Sequence, residues 1–158
     1  MNPYQRLLGS GPTGVLGSVA LLGLAAWAER SFPSGALGIP AAWRQGVLGT
    51  GMLLAAAGAT WAFRSLPPAQ RGRSLCVRGA FRWVRHPLYA SLLVLFAPAL
   101  ALYLDHWLYL LWALLLHPYW HAVIRWEERP MQARFGEEYV AYAGRTGRFF
   151  PRFGHRPQ

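Results

Sequence analysis

Residues 80–93, "AFRWVRHPLYASLL", set Arg85 and His86 directly before Pro87 and a long apolar run. Proline suits the first turn of a helix, where its missing N–H has no partner to lose, so a helix is expected to start at Pro87. The unpaired N–H groups of such a turn attract anions. With Arg85 and His86 beside them and Tyr89 about one turn further in, they make a site for a carboxylate or phosphate. Residues 125–130, "RWEERP", place Glu127 and Glu128 just past another apolar run. Almost nothing but Asp105 separates the two runs, so they form a tight hairpin. The glutamates then return to the level of Arg85 and His86, with Phe81, Trp83, Tyr89, Trp120, Trp126 and Phe135 in the same neighbourhood. Polar pairs converging at the boundary of an apolar helix point to function rather than to ordinary interfacial charge. A ligand with an anionic end, a cationic centre and an aromatic ring would suit them. S-adenosylmethionine has all three: its carboxylate fits Arg85 or the helix start, its amino group and ribose fit the glutamates, and its sulfonium fits aromatic faces and carboxylates. NADPH, whose phosphates also call for arginine, is the competitor, and composition does not choose between them.

The elements that must hold these residues are apolar. Residues 7–28, 45–63, 87–104 and 107–124 carry no acidic or basic side chain apart from histidine, and about 20 apolar residues cross a bilayer as a helix. None of the runs shows the polar stripe of a soluble bundle helix. The expected fold is all-α: one integral-membrane domain over residues 1–158, with four transmembrane helices at about 8–28, 46–63, 87–104 and 106–124. C-terminal interfacial helices in a tail at 125–158 would cover a cytoplasmic-side cofactor pocket. The first run exceeds the apolar core of a signal peptide and is followed by further spans, so it reads as a retained helix.

The chain carries sixteen basic residues, all arginine, against six acids. Arginine without lysine suggests a GC-rich bacterial genome and hence the cell inner membrane. Fourteen of the arginines fall at the N-terminus, between spans two and three, and in the tail, while Arg30 and Arg44 fall on the other side. The positive-inside tendency places both termini in the cytoplasm. Arginines between spans serve orientation and lipid headgroups, so no nucleic-acid partner is expected. Arg71, Arg73 and the tail arginines are read in that role.

Other features have structural readings. The lone Cys76 cannot form an intrachain disulfide and reads as an inert thiol. Ser10, Gly14 and Ser18, then Gly51, Ala55 and Ala59, offer small-residue faces for close helix packing, which gives the first two spans scaffold roles. Pro98 and Pro118 predict kinks. The segment 30–40 reads as an irregular surface loop. The tail shows a helical period interrupted near Gly136, with Met131, Phe135, Tyr139 and Tyr142 on one side, as in an interfacial helix pair. His117 and His121 stand four apart but lack a third ligand, so no metal is expected; His121 is assigned to the polar lining of the cofactor cavity.

"VRGAFRWVRHPLYAS" resembles the Gly-x-x-x-x-x-Arg-His-Pro-x-Tyr segment of the isoprenylcysteine carboxyl methyltransferase and phospholipid methyltransferase superfamily. "EERPMQARFGEEYVAYAGRTGRFFP" resembles its second segment, and the two cover roughly residues 75–151. Ser91 stands where the family often has glycine, and four spans match the compact members rather than the longer prenylcysteine enzymes. The resemblance implies a membrane methyltransferase using S-adenosylmethionine on a lipophilic acceptor, an isoprenylcysteine-like carboxylate or a phospholipid amine. Carried over, Gly79, Arg85, His86, Leu88 and Tyr89 form one cofactor segment and Glu127 and Glu128 the other, with Tyr139 closing over them. Arg85 and Glu127 are the residues assigned to the chemistry. Related sterol reductases share Arg-His-Pro-x-Tyr but usually carry Asn where Leu88 stands, so an NADPH-dependent membrane reductase is the alternative. The acceptor and the oligomeric state are not legible from these residues.

Overall fold

A computed structural model describes residues 11–66 and 74–152. The start of the first expected span with Arg6 and Ser10, the loop arginines Arg71 and Arg73, and the tail end with Arg156 lie outside the described residues.

The described chain is built from four helical stretches. Helix α1 is Gly11–Glu29 and α2 is Ala41–Ser65. A 3-10 turn at Gly79–Arg82 leads into α3, Pro87–Tyr103, and α4 is Trp107–Arg145. Helices α1, α2 and α4 are long and apolar enough to cross a membrane, while α3 is apolar but shorter. Residues 107–135, the part of α4 before a break at Gly136, extend about 43 Å at 1.5 Å per residue, longer than the ~30 Å hydrocarbon core. Hydropathy therefore marked where α4 leaves the apolar layer, not where it ends: what was expected as a separate tail from residue 125 continues the same helix. Its break comes at Gly136, whose φ of 51° and ψ of −128° suit only a residue without a Cβ. The one-sided set Met131, Phe135, Tyr139 and Tyr142 is the less exposed face of this stretch.

Of the two expected kinks, Pro118 leaves helical dihedrals in place and Pro98 follows a distortion. Pro98 cannot donate to the carbonyl four residues back, and α3 carries a π segment at Ser91–Phe96 immediately before it.

The packing order is α1–α4–α3–α2, so the two helices adjacent in sequence, α1 and α2, lie on opposite flanks of the α3–α4 hairpin. The core lies mainly between α3 and α4, where Leu93, Ala97 and Ala101 meet Trp112, Leu116, Trp120 and Ile124. The small-residue faces work as expected, each against its own neighbour. A Cβ on Gly14 would stand 2.4 Å from the Trp120 ring, and one on Gly51 2.3 Å from Ala99 Cβ. The segment after α1 is more structured than a surface loop. His106 Nε2 lies 2.8 Å from the Phe32 carbonyl, Trp107 N–H donates to Gly35, and Asp105 Oδ1 accepts from Ile39 N–H. These bonds clamp it to the α3–α4 turn, where Asp105 has a φ of 59°.

Candidate functional site

The segments flanking α3 and α4 meet by backbone pairing. Arg85 N–H donates to the Gly147 carbonyl at 2.8 Å and His86 N–H to the Arg148 carbonyl at 3.1 Å, forming a short parallel bridge between Val84 and Gly147. Tyr142 adds a hydroxyl bond of 2.7 Å to the Phe81 carbonyl, and Thr146 Oγ1 donates to the Tyr142 carbonyl at the helix end. The chain after α4 is thereby folded back against the start of α3.

That return brings a cluster of charges together. Glu128 accepts from Arg85 Nε at 3.0 Å and from Arg148 Nη2 at 2.6 Å and Nε at 3.1 Å. His86 Nε2 stands 3.4 Å from Glu128 Oε1, yet this buried nitrogen has no partner in hydrogen-bond geometry among the described residues. Arg85 Nη1 also donates to the carbonyls of Ala143, at 2.8 Å, and Thr146. Arg148 Nη1 lies 3.0 Å from His121 Nδ1, and Phe149 packs on the His121 ring. Glu128 lies beyond the apolar part of α4. Burial alone would push its carboxyl up, but the neighbouring His86, the hydrogen bonds from Arg148 and the charge of Arg85 outweigh it and hold the carboxyl well below the ordinary range. Glu128 therefore stays ionised throughout the neutral range.

Glu127, one residue earlier and about 100° round the helix, takes a different partner: Tyr89 donates to its Oε2 at 3.1 Å. The Tyr89 ring stacks on His86 at 5.7 Å and leans on Trp120 at 4.6 Å. Tyr139 is buried, and burial followed by the neighbouring Glu128 charge pushes its phenol well above the ordinary range, so it is a neutral donor.

The structure thus unites Arg85, His86, Tyr89, His121, Glu127, Glu128 and Tyr139. Gly79 lies against Ser65 at the end of α2. Its φ is +56°, a Cβ would strike Ser65 Oγ, and the next residue's N–H donates to that same hydroxyl. Leu88 is exposed. Among the aromatics, Tyr89 and Trp120 belong to the cluster. Trp83 and Trp126 face outward, and Arg129 lies over the Trp126 ring. Arg148 is the residue that sequence reasoning missed, since one arginine in a basic tail looks like any other. Its only signal was its place near the end of the second motif segment.

The family is settled by a match over residues 50–138, more than half the chain, to the family model described as phospholipid methyltransferase. The chain belongs to the phospholipid methyltransferase family. The match covers α2 from residue 50 onward, the Arg85–Tyr89 segment and both glutamates, and the protein is accordingly a multi-pass membrane methyltransferase. Helix α1, Tyr139 and Arg148 lie outside the matched residues. No curated protein matches the chain.

Proposed function

We propose that this phospholipid methyltransferase family member transfers a methyl group from S-adenosylmethionine to a lipophilic acceptor, a phospholipid amine or an isoprenylcysteine-like carboxylate, at the cytoplasmic membrane interface. The carrying observation is the half-buried Arg85–Glu128–Arg148 network beside the Tyr89–Glu127 pair. The arginine distribution supports an arrangement with the cluster on the cytoplasmic side and α3 as a fourth, short crossing.

The donor set fits the cofactor. The buried His86 nitrogen without an acceptor and the adjoining Arg85 guanidinium are complementary to a carboxylate. Glu127 is complementary to an ammonium. Tyr89, backed by the buried Trp120, offers an aromatic face to a sulfonium. Gly79, Leu88 and His121 complete the cofactor side in this reading, and Tyr139 closes over the glutamates. S-adenosylmethionine supplies, when bound, an electrophilic methyl group on a positively charged sulfur.

The protein's own work is alignment, exclusion of water and management of one proton. An amine acceptor must lose a proton to become a nucleophile, whereas a carboxylate needs no base. Glu128, held ionised by its cations, is a poor proton acceptor and serves as the charge anchor that fixes Arg85 and Arg148. Proton acceptance therefore falls to Glu127, oriented by the Tyr89 hydroxyl.

The test is the purified protein in nanodiscs, assayed for S-adenosylhomocysteine binding and for transfer of labelled methyl to phosphatidylethanolamine or to a prenylcysteine analogue. Saturating S-adenosylhomocysteine at 100 times its Kd should stabilise the fold by about 2.7 kcal/mol. Glu127→Gln should lower kcat on an amine acceptor by more than it weakens S-adenosylhomocysteine binding. Stabilisation by NADPH alone would overturn the reading.

A further inference from the structure

We propose a second ligand site at the opposite end of the bundle, a cleft that binds a phosphate-bearing group through Arg44. The cleft has a volume of about 270 Å³ and is lined by Ala41, Arg44 and Gln45 of α2 with Tyr103 and Leu104 at the end of α3. It therefore lies at the far end of α3 from Arg85. Helix α2 begins several residues before the apolar run does, so Arg44 sits within its first turns rather than in a loop.

The charge there is incompletely matched. Asp105 is the neighbouring acid, but its Oδ1 is engaged by Ile39 N–H at 2.9 Å and its Oδ2 lies 3.4 Å from Arg44 Nη1. Arg44 Nε is buried and has no hydrogen-bond acceptor among the described residues. Nε is shut off from the cleft, so the donors an anion can reach are those on the exposed side of the guanidinium, where the Arg44 side chain is 32% exposed and Asp105 is held only at a long 3.4 Å. Gln45 and Tyr103 add neutral donors at the rim.

The level of the cleft narrows the ligand class. Trp27, Trp43, Tyr103 and Trp107 are all exposed around this end of the helices, as aromatic side chains are at a headgroup layer. The volume is about nine times the ~30 Å³ share of one water, ample for a phosphate and the atoms joined to it. Leu104 gives the cleft an apolar wall. A phosphate presented at this depth comes from a lipid headgroup or from free phosphate in solution.

The experiment titrates the full-length protein in detergent with dihexanoylphosphatidylglycerol below its micelle concentration, and separately with inorganic phosphate. Native mass spectrometry and the thermal midpoint are the readouts. Arg44→Gln removes the donor, and Ala41→Leu fills the cleft while leaving the Arg44–Asp105 pair in place. Saturable binding to the wild type, weakened about tenfold or more in Arg44→Gln and lost in Ala41→Leu, is expected. Both variants should bind S-adenosylhomocysteine as the wild type does. The lipid binding alone would make a headgroup the source. Inorganic phosphate binding with the same sensitivity to the variants would make it a free anion. Should Arg44→Gln fail to fold, Ala41→Leu decides. No saturable binding to the wild type, or binding unchanged by filling the cleft, would overturn the proposal.

Discussion

Glu128→Gln keeps the shape of the side chain and deletes the charge on which two guanidiniums converge beside His86. Arg85 lies 3.0 Å from it, Arg148 2.6 Å and His86 3.4 Å, and the Arg85 and Glu128 side chains are only 9% and 12% exposed. A glutamine oxygen can accept one of these bonds but cannot neutralise two guanidiniums. Removing one partner of a buried pair costs about 3–5 kcal/mol. Arg148 is 21% exposed and keeps part of its hydration, so the expected loss is about 2–4 kcal/mol. The assay is thermal unfolding in nanodiscs from pH 3 to 7, with S-adenosylhomocysteine binding measured in parallel. The pH profile carries a second signature. The folded protein holds the Glu128 carboxyl below its ordinary value of 4.5, so the unfolded chain takes up the proton first as pH falls. The stabilisation is then complete above about 4.5, lost progressively below it, and absent from Glu128→Gln. Pairing Glu128→Gln with Arg148→Met should recover part of the loss, because one stranded guanidinium is then gone. If Glu128→Gln unfolds within about 0.5 kcal/mol of the wild type and keeps its acid profile, the network does not hold the site together.

Other perturbations separate packing from chemistry. Gly14→Ala places a methyl 2.4 Å from the Trp120 ring, and the resulting overpacking should cost about 1–3 kcal/mol in thermal unfolding. It should also disturb Tyr89, which leans on that tryptophan, and so raise KM. Gly136→Ala meets open space, so its expected penalty of about 1–3 kcal/mol arises from backbone strain at φ 51° alone. Gly144→Ala, also in open space but at ordinary helical dihedrals, should be neutral or stabilising by up to about 1 kcal/mol. Tyr142→Phe strands the Phe81 carbonyl and should cost about 1–3 kcal/mol, with faster amide exchange at residues 83–86 as the local readout.

Several parts of this molecule follow from the sequence alone. Bilayer thickness sets a length for an apolar run, so the helices were legible as uncharged stretches. Pro87 marked the start of α3 because proline tolerates a first turn and little else in a helix. The meeting of Arg85 and His86 with Glu127 and Glu128 followed from a hairpin of two similar lengths, and Gly136 was visible as the interruption of a period. Other features depended on contacts that no local pattern encodes. Charges in "RWEER" report where a helix leaves the apolar layer, and only the backbone shows that α4 continues through them. Apolar runs look alike to one another, so nothing in them told that α1 would choose α4 and α2 would choose α3; that was decided by which small residues accept which ring or methyl. Arg148 joined the site because residues 147 and 148 pair with 85 and 86, a match between segments some sixty residues apart. The tertiary structure likewise split two adjacent glutamates, turning Glu128 toward guanidiniums and Glu127 toward a phenol, because neighbours on a helix face directions about 100° apart.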